Sequence, residues 1–167
     1  GAAGHSPDQL DIDLAWIEDQ LGDRPFGVDV IVPAKYEGKD DGGLSVARLN
    51  ELIPRAHREF LADLLARYGV PELPAGEGRR ELREAPMSLN QAEPLMDVAF
   101  SHRISLIANA LGPPPPEMVE RAHAQGVKVA ALAGKKSHAV RHAAMGVDLI
   151  VAQGYEAGGH TGEIGTL

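Results

Sequence analysis

The last third of the chain repeats one short unit, and this repeat constrains the fold more than any other feature. Residues 124–129 (Ala-Gln-Gly-Val-Lys-Val) match residues 144–149 (Ala-Met-Gly-Val-Asp-Leu) twenty positions later. In each copy, a glycine divides a helix-like segment from a β-branched apolar segment, which predicts a helix followed by a strand. Strands that alternate with helices in this way pair in parallel through right-handed crossovers.

The same alternation extends towards the N-terminus. Ser6 and Pro7 are typical of an N-cap and a first helical position, and Gly22 is typical of the end of that helix. Short apolar segments predict buried strands at 26–32, 104–111, 127–133 and 147–152. Further helices are predicted at 46–53, at 55–68, from 90 to about 102, between 116 and 126, and at 137–145.

Two architectures fit this order of elements: an open doubly wound sheet and a (β/α)8 barrel. The short, repeated units favour the barrel. In both architectures ligands bind where the strands end, at the carboxyl edge of the sheet. The sequence therefore directs attention to residues 29–33, 109–112 and 133–136, and to the segment from 153 onward.

Composition excludes several kinds of partner and site. The chain has 167 residues and a formal charge of −8, which argues against nucleic acid or an anionic membrane as a partner. It contains no cysteine, which excludes a disulfide scaffold and a Cys-based zinc site. No segment approaches the ~18 apolar residues of a membrane span, and residues 1–10 show no secretory signal, so a cytoplasmic location is the default expectation.

A pair of histidines has the spacing of a metal-binding helix but lacks the rest of the motif. His138 and His142 are four residues apart, whereas the glutamate of an H-E-x-x-H motif is replaced by Ala139. We expect both histidines to lie on a solvated helix face and the chain to hold no metal.

The segment after the last predicted strand carries the strongest chemical signal. Residues 152–162 read Ala-Gln-Gly-Tyr-Glu-Ala-Gly-Gly-His-Thr-Gly. Glycines allow the backbone to approach a flat ligand closely, and the amide of Gln153 both donates and accepts hydrogen bonds. His160 exchanges a proton near neutral pH. The glycine spacing does not match the G-x-G-x-x-G phosphate loop of dinucleotide-binding folds.

This segment resembles the signature of the nitronate monooxygenase family, which is related to the flavin-dependent enoyl reductases of fatty-acid synthesis. Residues 1–4, 24–28 and 126–154 also match the order of the family's segments. The resemblance covers nearly all of the chain, except for a helical excursion at about 35–90 that is longer than usual. It implies an α/β fold of the parallel (β/α)8 TIM-barrel type, with FMN bound at the carboxyl ends of the strands.

The resemblance also implies roles for individual residues. His160 matches the catalytic histidine of the family, and Gln153, Gly158 and Gly159 match its cofactor-binding positions. Asp29 stands where many members carry an asparagine that touches the flavin, and an ionised Asp accepts hydrogen bonds without donating any.

The family implies more strands than this chain contains. The four predicted strands cannot close an eight-stranded barrel, so we interpret residues 1–167 as about the middle half of a longer FMN-binding domain. By itself, such a piece is expected to be inactive.

Three hypotheses for function follow. The first is oxidation of alkyl nitronates by O₂ to a carbonyl compound and nitrite, with His160 as a base or as a group that orients the nitronate. The second is an FMN-dependent reductase that passes hydride from NAD(P)H to an enoyl thioester or another CoA-linked substrate. The third is a truncated fragment that binds no flavin. The first two imply a small-molecule substrate, and the sequence leaves a homo-oligomer open.

Overall fold

A computed structural model describes residues 1–32, 45–71, 89–154, 156 and 157. Helices and strands in these ranges follow the predicted order, with most strands shorter than expected. The helices are α1 (Pro7–Leu21), α2 (Val46–Leu52), α3 (Arg55–Arg67), α4 (Leu89–Ser101), α5 (Pro116–Ala124) and α6 (Lys136–Ala144). The strands are β1 (Gly27–Val30), β2 (Leu106–Asn109), β3 (Lys128–Ala133) and β4 (Leu149–Ala152).

The four strands form one parallel sheet in the order β1-β2-β3-β4. A sheet whose strands follow the chain order, joined by right-handed crossovers, carries its connecting helices on one face. A doubly wound sheet would instead reverse its strand order at a switch point. The described sheet has no such reversal, which decides between the two architectures in favour of the barrel type.

Side chains alternate between a covered face and an open face of this sheet. Val28, Val30 and Ile107 are fully buried beneath the helices, whereas Asp29 and Ala108, at the alternate positions, are partly exposed. β1 and β2 are therefore covered on one face, as expected of barrel wall. In β3, Ala130 on the opposite face is buried as well, and all four residues of β4 are exposed.

The first helix forms as its end signals predict. The Ser6 hydroxyl accepts a hydrogen bond from the backbone N–H of Gln9 at 3.2 Å. Leu10 and Leu14 are buried in the main core cluster, so this helix covers part of the sheet. Capping of this kind contributes about 1 kcal/mol to a helix.

A short segment extends the sheet beyond β1. The backbone N–H of Ala2 donates to the carbonyl oxygen of Asp29 at 2.8 Å, on the edge of β1 that β2 does not occupy. Residues 1–4 thus lie where the tail of a preceding strand is expected.

The excursion contains the two predicted helices, α2 and α3. Large apolar side chains on and just after α3 are exposed: Phe60 is 67% exposed, and Tyr68, which follows the helix, is 75% exposed. In the described ranges, no helix is both long and apolar enough to cross a membrane.

Candidate functional site

The four strands end together at one edge of the sheet, which we call the carboxyl edge. It comprises residues 31–32 after β1, residues 110–113 after β2, residues 134–135 after β3 and residues 153–154 after β4. The backbone N–H of Gln153 donates to the carbonyl oxygen of Ala133 at 3.0 Å. The chain therefore leaves β4 while still bonded to β3, which holds the half-buried Gln153 at this edge.

The open face beside this edge is lined with small side chains. One register row runs across all four strands through Asp29, Ala108, Ala130 and Leu149. The two central residues of the row are alanines, so the middle of this face is nearly flat. The Asp29 carboxylate stands at one end of the row, with 43% of its side chain exposed.

A buried amide organises the turn after β2. Asn109 is fully buried, and its side chain bonds to the backbone of Val32 after β1 and to three carbonyl groups of the turn at 111–113. The sequence pointed to residues 109–112 only as a strand end. The signal that could have singled out Asn109 is an amide in the last position of an otherwise apolar strand.

The segment after β4 turns at once. The backbone N–H of Ala157 donates to the carbonyl oxygen of Gly154 at 3.2 Å. A Cβ on Gly154 would lie 3.0 Å from a carboxylate oxygen of Glu156, so glycine leaves room for that side chain to fold over the turn. The structure thus places Gln153, Gly154 and Glu156 at the carboxyl edge.

Three of the residues singled out in the sequence lie outside the described residues: His160, Gly158 and Gly159. The two that are described, Gln153 and Asp29, lie at opposite ends of the four-stranded sheet. Gln153 directly follows β4, and Asp29 lies one residue before the end of β1. β2 and β3 lie between them.

The prediction of a solvated face for His142 is wrong. Only 2% of this residue is exposed, and its Nε2 lies 3.0 Å from the carbonyl oxygen of Leu132 in β3. Its Nδ1 is also buried and has no hydrogen-bond partner among the described residues. Within the described ranges, no three or more His, Cys, Asp or Glu side chains cluster to hold a metal ion.

His5, which follows the segment beside β1, contacts the first helix. Its Nε2 lies 3.0 Å from a carboxylate oxygen of Asp13 on α1. The Asp13 carboxylate also accepts a hydrogen bond from the Gln9 amide. These contacts tie the start of the chain to the first helix.

The opposite, amino edge of the sheet is held by a carboxylate. Asp148, just before β4, accepts hydrogen bonds from the backbone N–H of Val129, from His123 and from the Lys128 ammonium. These donors, the backbone N–H first among them, hold the pKa of Asp148 far below its usual range. Because catalytic groups of such folds lie at the carboxyl edge, we assign this cluster to stability.

A second carboxylate at the amino edge joins α1 to the start of β2. The backbone N–H of Arg103 donates to Glu18 at 2.6 Å, and a ring nitrogen of His102 lies 3.2 Å from the same carboxylate. The backbone bond and the neighbouring His102 and Arg103 lower the pKa of Glu18 below its usual value.

The groups at the carboxyl edge suit a flat, partly polar ring system such as a flavin. Gly154 is half-buried and has no side chain, so its backbone can be approached closely at the end of β4. Gln153 supplies an amide that can meet both a donor and an acceptor on a ring edge. The described residues therefore fit such a group, with Gln153 and Gly154 at one end of it.

Comparison with known proteins identifies the family. The family model described as "Nitronate monooxygenase" matches residues 1–167. A Mycobacterium tuberculosis protein, provisionally named a monooxygenase, is 54% identical over 167 residues, which are 100% of this chain and 44% of that protein. The nitronate monooxygenase of Pseudomonas aeruginosa is 32% identical over 142 residues, which are 85% of this chain and 36% of that enzyme.

Solved structures agree on the fold. The nitroalkane oxidase of Streptomyces ansochromogenes superposes with a TM-score of 0.66 at 23% identity, over 96% of this chain and 40% of that chain. This chain thus spans less than half the length of the relatives that it matches. Its sheet is part of a (β/α)8 barrel wall, and the chain belongs to the nitronate monooxygenase family.

Proposed function

We propose that the complete protein containing this chain uses FMN to oxidise alkyl nitronates with O₂, giving a carbonyl compound and nitrite. This proposal rests mainly on the position of Gln153, where the chain leaves β4. Gln153 is fixed beside Ala133 at the carboxyl edge, directly ahead of the glycine-rich segment that contains His160. A match of the family model to the whole chain supports the same reading.

The cofactor contacts are assigned to the two ends of the carboxyl edge. When bound, FMN would supply the electron-transfer chemistry. Gln153, Gly158 and Gly159 would hold one side of the ring system through an amide and exposed backbone. Asp29 would meet the other side as a hydrogen-bond acceptor. The small residues between them would cover part of the face of the ring.

His160 is assigned the proton chemistry. As a neutral imidazole, it would remove the α-proton of a nitroalkane; as an imidazolium, it would orient the anionic nitronate by charge and hydrogen bonding. We expect His160→Asn in the complete protein to lower kcat/KM for a neutral nitroalkane by about 10²-fold or more, as removal of a general base does.

The matched control is His57→Asn, which changes an exposed histidine on α3. It should leave the kinetics unchanged. Full activity of His160→Asn on the neutral nitroalkane would exclude His160 as the base. Retained activity on the preformed nitronate alone would be consistent with proton abstraction as its main role.

The reductase hypothesis remains the second candidate, and the exposed apolar face of α3 favours it. Phe60, Leu61 and Leu65 give the excursion a surface that a bulky thioester substrate could contact. Anaerobic mixing separates the two functions. Rapid bleaching of the flavin by NAD(P)H would indicate the reductase, whereas bleaching by a nitronate would indicate the monooxygenase.

A further inference from the structure

We propose that Asn109 is a positioning residue for the carboxyl edge: its amide fixes the turn at 110–113, against which the flavin of the proposed function binds. This inference rests on that proposed function and extends it to a residue with no assigned role. Asn109 is fully buried in a strand whose other inward-facing side chains are apolar, so its polar group requires an explanation.

The contacts of the amide engage both its oxygen and its NH₂ group. Its Oδ1 accepts from the backbone N–H of Val32 at 2.9 Å. Its Nδ2 lies 3.1 Å from the carbonyl oxygen of Val32, 3.2 Å from that of Leu111, 3.3 Å from that of Gly112 and 3.2 Å from that of Pro113. All of these partner groups are backbone, so the side chain joins the end of β1 to the turn after β2.

The orientation of the amide follows from these partners. The N–H of Val32 needs an acceptor, and the four carbonyl groups need a donor. The reverse orientation would place an oxygen among four carbonyl oxygens. For the same reason an ionised aspartate, which has no hydrogen to donate, could not replace Asn109 at this position.

Two groups hold the turn to β1 and β2: the Ala110 N–H donates to the carbonyl oxygen of Val30 at 2.9 Å, and the carbonyl groups at 111–113 meet the Asn109 amide. Gly112 has a φ of +76°, a conformation that glycine adopts readily, and Pro113 has no N–H to donate. The carbonyl groups at 111–113 converge on one NH₂ group. Removing that group would leave the turn free to adopt other conformations.

The turn lies between the two proposed ends of the flavin site. In the strand order β1-β2-β3-β4, the end of β2 separates Asp29 from Gln153. With parallel strands about 4.8 Å apart, the three steps from β1 to β4 span about 14 Å. A fused ring system that contacts both Asp29 and Gln153 must cross the end of β2, where Asn109 sets the position of the turn.

The experiment measures FMN binding to the apo form of the complete protein, by quenching of flavin fluorescence. Asn109→Asp and Asn109→Leu both remove the NH₂ group with little change in size. We expect each to weaken FMN binding at least tenfold. The matched control is Asp148→Asn, which weakens the amino edge of the same sheet and should leave FMN affinity within twofold of wild type.

A pH signature separates positioning from general damage. A buried carboxyl among carbonyl oxygens is protonated more readily than usual, and once protonated it carries an O–H donor. The FMN affinity of Asn109→Asp should therefore recover towards that of wild type as the pH falls from about 8 to about 5. Asn109→Leu has no such donor and should show no recovery.

The possible outcomes distinguish the two proposals. Suppose that Asp148→Asn and Asn109→Asp lower the melting temperature equally. If both also weaken FMN binding equally, the positioning role is wrong and the proposed function stands. If Asn109→Leu binds FMN as wild type does, the positioning role is also wrong. If the wild-type protein binds no FMN, the proposed function fails, and the positioning role fails with it.

Discussion

The Asp148 carboxylate accepts a hydrogen bond from the backbone N–H of Val129 at 2.8 Å, which ties the start of β4 to the start of β3. Removing the carboxylate would leave the Val129 N–H without its partner. His123 and Lys128, which bond to the same carboxylate, would lose a partner as well. We expect Asp148→Ala to lower the free energy of unfolding by about 2 kcal/mol. Urea denaturation of wild type and variant measures this difference.

The lowered pKa of Asp148 also predicts how the stability of the protein changes in acid. The folded-state pKa of Asp148 lies below its unfolded value of about 3.9, so its contribution is fully present above that value. It is lost as the pH falls towards the folded-state pKa. The stability difference between wild type and Asp148→Ala should therefore shrink below about pH 4. A constant difference down to about pH 2 would contradict the assignment.

Gly27 is needed where β1 and β2 approach each other. A Cβ at this position would lie 2.8 Å from the carbonyl oxygen of Leu106 and 2.9 Å from its Cβ. Since the first of these is a backbone atom, the strands would have to move apart. We expect Gly27→Ala to cost about 1–3 kcal/mol of stability.

The comparison for this variant is Gly69→Ala, where φ is +63° and nothing lies within 4 Å of the added methyl group. It carries conformational strain without a clash and should cost about 1 kcal/mol. Thermal unfolding of the two variants ranks them. An equal or larger loss at Gly69 would show that β1 and β2 can separate without penalty.

Replacing Asp29 by asparagine is expected to strengthen FMN binding. An asparagine at this position could both donate to and accept from a ring edge, whereas the carboxylate only accepts. We expect Asp29→Asn to tighten FMN binding several-fold, with Asp19→Asn on the exposed side of α1 as the neutral control. Weaker binding after the change would indicate that the carboxylate itself is required.

His142 supports the end of β3 from α6. Its Nε2 hydrogen bond to Leu132 crosses from helix to strand, and a phenyl ring would fill much of the same space without donating. We expect His142→Phe to lower stability by about 1–3 kcal/mol, because a buried carbonyl loses its donor. His57→Phe, on exposed α3, should leave stability within about 0.5 kcal/mol.

Local signals were sufficient to predict most of the elements. Ser6, Pro7 and Gly22 bounded α1 correctly, and the twenty-residue repeat located β3, α6 and β4. The strand at 26–32 was predicted longer than the observed Gly27–Val30. The apolar run continues past the last residue that pairs with β2, and composition does not show where pairing stops.

Contacts between distant residues could not be predicted in the same way. His142 follows a pattern typical of an exposed helix face, but it is buried because β3 lies directly beneath it. Asn109 and Val32 meet only after β1 and β2 have paired. Gln153 lies at the carboxyl edge, as expected for a residue that directly follows a strand of a parallel sheet, while the cofactor-binding roles of Gln153 and Asp29 stay predictions.

The register of the sheet also has a consequence for the order of folding. Leu149 pairs with Ala130, which lies about twenty residues earlier in the sequence, whereas Gly27 pairs with Leu106, which lies about eighty residues later. Each doubling of a loop costs about 0.6 kcal/mol in closure entropy, so the longer connection adds about 1.2 kcal/mol before any contact forms. We expect β2, β3 and β4 to assemble first, with β1 and α1 docking late onto a preformed surface.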